Sequence, residues 1–187
     1  RWRGRSNTHF CGGGWYYTAW EDYVKKHGGL ASENAYPYDK ETYAGDASEC
    51  RDKSFAVVKD TDVGSYEWAT TPCKGIFCKN QDEETLKKNL ASSGPLSIAC
   101  DASQWSSYTG GVLTQDSCAR SDLKLDHAIQ LVGYNEDAEI PYWIVRNSWN
   151  TDWGIDGYIH IAMGDNTCGI ADKAATIVVP DKAGESK

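Results

Sequence analysis

The spacing of hydrophobic positions changes about halfway along the chain. Aromatic and apolar residues at 15–27, among them Tyr16, Trp20 and Val24, recur at three- and four-residue steps, and two glycines follow them. This spacing predicts a helix that ends at the glycines. A second helix is predicted at 81–91, where three acidic residues occupy the first turn.

Short apolar runs replace the helical spacing in the second half. They are bounded by Gly, Asn or Asp, and they lie at 95–99, 128–132, 142–145 and 158–161. Such runs predict strands of an antiparallel barrel or sheet. Alternating segments at 55–66 indicate further strands, after a loop-rich stretch at 32–51. The pattern therefore predicts an α+β fold whose 187 residues form one compact unit or two small lobes.

The charge of the chain restricts the class of partner. The net charge is −8 and the isoelectric point is near 4.9. No basic stripe is present to hold a nucleic acid or an anionic membrane, so neither is expected as a partner. No apolar run approaches the roughly 18 residues of a membrane-spanning helix. No signal peptide is visible, so we expect the chain to begin as a processed product or a fragment.

Seven cysteines in so short a chain indicate disulfides and an oxidising or lysosome-like route. Their odd number leaves at least one thiol free or paired outside the chain. The C-x4-C spacing of Cys73 and Cys78 raises zinc as an alternative. No second close pair of Cys or His accompanies them and the four His are scattered, which disfavours zinc.

Two segments carry candidate chemistry. One is DHAIQLVGY at 126–134, and the other is WIVRNSW at 143–149, followed by WG. Adjacent strands joined by the 135–141 loop would bring His127 beside Asn147. A histidine that acts as general base and acid needs one ring nitrogen held by a neutral partner, so that the other nitrogen faces the reacting group. A flanking indole, here Trp149, keeps water off that hydrogen bond.

These segments resemble the papain (cathepsin L-like) cysteine peptidases, whose C-terminal lobe carries HA-x-x-x-VGY and NSW-x-x-x-WG-x-x-GY. Three further stretches resemble motifs of that family in the same order. They are CGGG at 11–14, similar to the family's C-N-G-G loop, YPY at 36–38, and CGIA at 168–171. The resemblance spans nearly the whole chain.

The resemblance implies a role for each matched position. His127 resembles the catalytic histidine, Asn147 the residue that orients it, and Trp149 the indole that shields the pair and forms part of the primed-side wall. The implied substrate-binding residues are Gly13, Gly14, Trp15, Tyr16, Asp126, Ala128, Trp149 and Lys173. Glycines let the substrate backbone approach closely. Lys173 is placed at the floor of the main specificity pocket, where its amine would disfavour basic side chains; the alternative is an amine that reaches solvent.

The nucleophile of the family is missing. That cysteine lies in CGSCWAF on a long helix, with an upstream glutamine that donates to the oxyanion hole, and neither is present. Cys11 to Trp15 imitates the motif, but YPY follows about 25 residues later, as it does after the family's glycine loop. We therefore expect the chain to begin after the catalytic helix, with the nucleophile on an upstream segment or a companion chain.

The resemblance also implies a pairing of the cysteines. Cys118 pairs with Cys168 inside the chain, whereas Cys11 and Cys50 match cysteines whose partners lie in the absent segment. Cys73 and Cys78 are expected to close a short local loop that the commonest family members lack. Cys100 is then left over, and we interpret it as a buried free thiol.

The resulting expectation is a papain-like two-lobe α+β fold. A remnant of the helical left lobe occupies 1–60, and a β-rich, antiparallel, barrel-like right lobe occupies 61–187. The function implied is a cysteine-type endopeptidase acting on peptides or unfolded proteins without metal or organic cofactor, with this chain alone inactive. Expected partners are a propeptide and cystatin-like inhibitors, in a lysosome, vacuole or endosome, or outside the cell.

Two alternatives belong to other classes. A non-catalytic papain-like module, kept for binding or assembly, would also lack the nucleophile. Another Cys/His/Asn acyl-transfer enzyme, acting on amides or thioesters, is a weaker alternative because the glycine loop and YPY argue against it.

Overall fold

The computed structural model of the protein describes residues 14–24, 32, 34, 65–75, 78 and 81–178. The chain divides into two compact units, Arg1–Tyr66 with Ile177–Lys187, and Glu67–Thr176. The predicted lobes, 1–60 and 61–187, stay a prediction. No helix in the described ranges has both the length and the apolar character that crossing a bilayer requires.

The first unit contains the predicted N-terminal helix. Helix α1 is Tyr16–Ala19, and it continues as a π-helix over Trp20–Val24. The Tyr16 and Trp20 rings, four residues apart, lie 5.4 Å apart as the helical spacing predicts. The end of that helix, at 25–27, and the strands predicted at 55–64 lie outside the described residues.

Helix α2 is Glu83–Ser93, two residues later than the pattern predicts. Asp82 is its N-cap rather than a first-turn residue, because its carboxylate accepts hydrogen bonds from the Thr85 backbone N–H at 2.8 Å and from the Thr85 hydroxyl at 2.6 Å. Gly94, at φ +80°, ends the helix in a conformation that favours glycine. Leu86 and Leu90, one turn apart, are the residues that α2 buries.

Seven strands form one sheet in the described part of the chain. They are β1 (Ser65–Trp68), β2 (Leu96–Cys100), β3 (Val112–Leu113), β4 (His127–Asn135), β5 (Tyr142–Arg146), β6 (Tyr158–Ala162) and β7 (Ala175–Val178). Their order is β1-β7-β2-β4-β5-β6-β3. The pairs made by β2, β4, β5, β6 and β7 with one another are antiparallel, and this mixture of strands and few helices confirms the predicted α+β class.

One pairing differs from the antiparallel expectation. Strand β3 runs parallel to β6, with Val112 opposite His160. Parallel neighbours require a long crossover connection, and the 44 residues between Leu113 and Tyr158 provide it, through β4 and β5. The apolar runs of the sequence contain no signal for this two-residue strand.

The core lies between one face of the sheet and helix α2. The buried positions alternate along β4, β5 and β6, and they join the two leucines of α2 in one cluster. These strand residues are Ile129, Leu131, Trp143, Val145, Ile159 and Ile161. The antiparallel pairing of β4 with β5 places His127, the first residue of β4, at the same end of the sheet as Asn147, which follows β5.

Candidate active site

His127 and Asn147 meet at the end of the β4–β5 pair. His127 is the first residue of β4, and Asn147 directly follows the last residue of β5. Because the two strands are antiparallel and Gln130 pairs with Arg146, these positions come together although they are twenty residues apart. His127 Nε2 lies 2.8 Å from Asn147 Oδ1. The structure thus makes the contact on which the sequence interpretation depends.

A second hydrogen bond determines which end of the Asn147 amide faces the histidine. Asn147 Oδ1 also accepts from the Ser148 backbone N–H at 2.8 Å. A backbone N–H can only donate, so the atom at this position must be oxygen rather than nitrogen. His127 Nε2 must then carry the hydrogen, which leaves Nδ1 as the nitrogen available to a reacting group.

The W-G-x-x-G turn after Asn147 holds the asparagine in place. The Asn147 backbone N–H donates to Gly157 O at 2.9 Å. Gly154 and Gly157 have φ of +63° and +88°, and a Cβ on Gly154 would lie 2.5 Å from Tyr158 O. Only glycine fits there, which is the physical reason for this part of the motif. Asn150 adopts φ +71°, a conformation that asparagine tolerates.

Two indoles, Trp105 and Trp149, contact the His127 ring, and a third, Trp153, packs against these two indoles. Trp149 lies 5.0 Å from it between centroids, is tilted by 33°, and keeps 38% of its surface exposed. Trp105 meets the ring edge-on at 6.0 Å and is fully buried. Trp153 contacts both indoles, and its Nε1 donates to Trp105 O at 3.0 Å. The arrangement keeps water from one side of the imidazole and leaves part of Trp149 open to solvent.

A family model described as papain family cysteine protease matches residues 4–178. The chain belongs to the papain family of cysteine proteases. Digestive cysteine proteinase 3 of the lobster Homarus americanus is 37% identical over 166 residues, which cover 87% of this chain and 46% of that protein. Mouse procathepsin L is 39% identical over 176 residues, covering 90% of this chain and 47% of the relative.

The fold is similar to that of procathepsin L structures. The structure of digestive procathepsin L 3 from the larval midgut of Tenebrio molitor matches with a TM-score of 0.69 and 31% sequence identity, covering 89% of this chain and 49% of the other. These figures confirm the papain-like, cathepsin L-like resemblance and the papain-like fold. The chain spans about half the length of the relatives that it matches.

The other predicted substrate residues of this papain-family chain are divided between the two units. Gly14 is exposed, and Trp15 and Tyr16 are half-buried at the start of α1. Ala128 is exposed on β4. Gly13, Cys11 and Cys50, and the YPY stretch, lie outside the described residues. Substrate contact at Gly13, Gly14, Trp15, Tyr16 and Ala128 stays a prediction, and so does the pairing of Cys11 and Cys50.

Asp126 has a structural task beside His127. Its backbone N–H donates to Cys100 O at 3.0 Å, and its Oδ1 accepts from the Ala102 backbone N–H at 2.8 Å. These bonds attach the start of β4 to the segment after β2. They therefore help to fix where His127 enters the sheet, a role that the sequence did not reveal because the two partner groups lie about 25 residues away.

Lys173 is buried, with only 9% of its surface exposed, and its place in a substrate pocket stays a prediction. Its Nζ donates to Cys73 O at 3.0 Å and lies 3.2 Å from Asp122 Oδ1. The ammonium charge is therefore compensated by a carboxylate. Any repulsion of a neighbouring cation by this ammonium is therefore weaker than an unpaired amine would cause.

Two disulfides are present in the described part of the chain, Cys73–Cys78 and Cys118–Cys168. Both are the pairs that the sequence led us to expect. The bonded Cys73 and Cys78 are not a zinc site in this state. Cys100 is a free thiol and fully buried, and this burial raises its pKa well above the ordinary value for cysteine.

Proposed function

We propose that this chain supplies the histidine–asparagine half of a cysteine-type endopeptidase, whose nucleophilic thiolate comes from a segment outside these 187 residues. The observation that carries the proposal is the 2.8 Å contact between His127 Nε2 and Asn147 Oδ1, with the oxygen fixed by the Ser148 N–H. Asn147 thereby leaves Nδ1 of His127 for proton transfer. Papain-family membership supports the reaction class.

The chemistry follows from the protonation of His127. A protonated His127 stabilises a neighbouring thiolate, which attacks the peptide carbonyl carbon and forms a carbon–sulfur bond. His127 Nδ1 then gives its proton to the leaving amine as the carbon–nitrogen bond breaks. Water, deprotonated by the neutral imidazole, hydrolyses the thioester and restores the thiolate and the protonated histidine. Asn147 holds Nε2–H throughout, and the chain alone is inactive in this scheme.

The substrate is a peptide or an unfolded protein. Trp149 is the best-supported subsite residue, because it lies beside His127 and remains partly exposed. Gly13, Gly14, Trp15, Tyr16, Asp126, Ala128 and Lys173 complete the proposed substrate-binding set. A propeptide is a further proposed partner, since the matching structures are procathepsins, and cystatin-like inhibitors are another.

The proposed location is a lysosome, vacuole or endosome, or the outside of the cell. The two disulfides support a route through an oxidising compartment. Relatives named as a digestive proteinase and a procathepsin agree with it.

The test uses the full protein, including whatever precedes this chain, and the variant Asn147→Ala. Loss of a hydrogen bond to a charged partner costs about 1.5–3 kcal/mol, so kcat/KM on a peptide substrate should fall roughly 10- to 150-fold, mainly in kcat. Asn150→Gly is the matched control, because Asn150 is in the same loop, has a glycine-like φ, and its side chain bonds only Thr151 N among the described contacts. It should change kcat/KM by less than about twofold.

A thiol-directed epoxide probe tests the source of the nucleophile. Labelling is expected on a polypeptide segment other than these 187 residues. Labelling of a cysteine within them would refute the external nucleophile. An intact, folded protein that neither reacts with the probe nor cleaves peptides would favour the non-catalytic binding module.

A further inference from the structure

A second group of chemically versatile side chains has no part in the proposed peptidase reaction. Cys73 Sγ, Cys78 Sγ and a carboxylate oxygen of Asp172 all lie within 4.8 Å of one another. Among the described residues it is the one such group of three or more His, Cys, Asp and Glu side chains. The sequence pointed to the cysteine pair but not to Asp172, which is about 94 residues beyond Cys78.

Asp172 lacks a partner for one of its oxygens. The residue is fully buried, and Oδ1 accepts from Asn166 Nδ2 at 2.7 Å. Oδ2 is buried and accepts no hydrogen bond within the described ranges. The nearby ammonium of Lys173 bonds Cys73 O and pairs with Asp122, and its positive charge also attracts the Asp172 carboxylate without a hydrogen bond to Oδ2. A buried carboxylate oxygen without a donor is unfavourable, and a cation at this position would relieve it.

We propose that reduction of the Cys73–Cys78 disulfide creates a binding site for Zn²⁺ or a similar thiophilic divalent cation, with both thiolates and the Asp172 carboxylate as ligands. Two sulfurs and a carboxylate oxygen are a ligand set that zinc accepts, with water in the fourth position. The site is independent of the proposed peptidase function.

The chemistry is balanced by a dithiol reductant. The reductant is oxidised to its own disulfide, the Cys73–Cys78 sulfur–sulfur bond breaks, and each cysteine sulfur takes up one proton. Zn²⁺ then displaces these two protons as the thiolates bind it. The oxidised form has no thiolates and therefore does not bind the metal at this position.

Hydrogen bonds hold the backbone of both cysteines in addition to the sulfur–sulfur bond. The Cys73 N–H donates to Asp172 O at 3.0 Å, and Cys78 O accepts from Asn166 Nδ2 at 2.5 Å. Their Cα atoms are 5.9 Å apart. Two sulfurs about 2.3 Å from a tetrahedral ion are about 3.8 Å apart, a separation that side-chain rotation at this Cα spacing permits. Reduction thus leaves the three ligands close together.

The experiment uses Co²⁺ as a spectroscopic probe of the full protein, reduced and kept free of oxygen. One equivalent of Co²⁺ should give thiolate-to-metal charge-transfer absorption, and Zn²⁺ should abolish it by displacement. Asp172→Asn keeps the shape and both cysteines, and we expect it to weaken Co²⁺ binding at least 10-fold. Asp122→Asn removes a neighbouring carboxylate outside the ligand group and should change the affinity less than about twofold.

Three results would overturn the proposal. They are no thiolate absorption in the reduced protein, the same absorption in the oxidised protein, and an unchanged affinity in Asp172→Asn. The double variant Cys73→Ser, Cys78→Ser identifies absorption that comes from other cysteines. If this variant does not fold, the comparison between the two aspartate variants still decides the outcome, because both retain every cysteine.

Discussion

Glu83 anchors α2 to the turn after β6, and its replacement by alanine should destabilise the protein strongly. Its carboxylate accepts three hydrogen bonds, from Trp143 Nε1 at 2.7 Å, the Gly164 N–H at 3.0 Å and the Asn166 N–H at 2.6 Å. The Trp143 side chain is fully buried, so it cannot turn to water when the carboxylate is gone. The three donors belong to β5 and to the turn 163–166. Among the described side chains of α2, Glu83 alone forms hydrogen bonds to these two segments.

The magnitude follows from the charge of the acceptor. A hydrogen bond to a charged group contributes about 1.5–3 kcal/mol, and a buried donor left unpaired costs about 1–3 kcal/mol. The bond to Gly164 N is exposed and counts for less. We therefore expect Glu83→Ala to lower the free energy of unfolding by about 3–5 kcal/mol, and Glu83→Gln by about half as much, since one amide oxygen remains.

The assay is urea unfolding followed by tryptophan fluorescence, with Glu84→Ala as the matched control. Glu84 occupies the same first turn of α2, but its carboxylate bonds only Lys87 at the surface among the described contacts. Its loss should cost less than about 1 kcal/mol. Equal unfolding free energies for Glu83→Ala and Glu84→Ala, within about 0.5 kcal/mol, would refute the anchoring role.

Three further predictions concern the turn, the free thiol and the buried amine. Gly154→Ala should lower the free energy of unfolding by more than about 2 kcal/mol, because its Cβ would lie 2.5 Å from Tyr158 O. The control Gly75→Ala, with no atom within 4 Å of the added Cβ, should lower it by less than about 0.5 kcal/mol. Similar losses in urea unfolding would contradict this. Cys100 should resist iodoacetamide in the folded protein near neutral pH, since burial raises its pKa, and should react fully after unfolding; rapid native labelling would show that the thiol is accessible. Lys173→Met should improve cleavage of peptides with basic side chains by no more than about fivefold, because its charge is already paired, and exposed Lys124→Met should have no effect; a far larger gain, measured on a peptide library, would mean that the amine acts as an unpaired charge.

Local signals in the sequence were sufficient for most of the strands. The alternation within 128–132, 142–145 and 158–161 reports which side chains a strand buries, and β4, β5 and β6 include all three ranges. The two glycines of the W-G-x-x-G motif likewise indicate a turn, because they occupy positions with positive φ. Such features depend on residues only a few positions apart, and therefore they can be predicted from a local sequence pattern.

The juxtaposition of His127 and Asn147 is an intermediate case. The proximity of the two residues was expected from a hairpin of neighbouring strands, because antiparallel pairing brings the start of β4 close to the end of β5. The orientation of the amide was not predictable, since it depends on the position of the Ser148 N–H relative to Oδ1. Nothing in the spacing of Trp105 along the chain indicated that its ring meets His127.

What the sequence determined alone is the type of α1, α2, β2, β4, β5 and β6, the turn glycines and the residue types of the histidine–asparagine pair. Only the tertiary structure decided the partners of the charged side chains. Glu83 meets Asn166, Lys173 meets Asp122, and Asp172 lies beside the Cys73–Cys78 disulfide. These contacts join residues that are about 50 to 100 positions apart. Their geometry depends on the order in which the strands assemble, and no local period along the chain records that order.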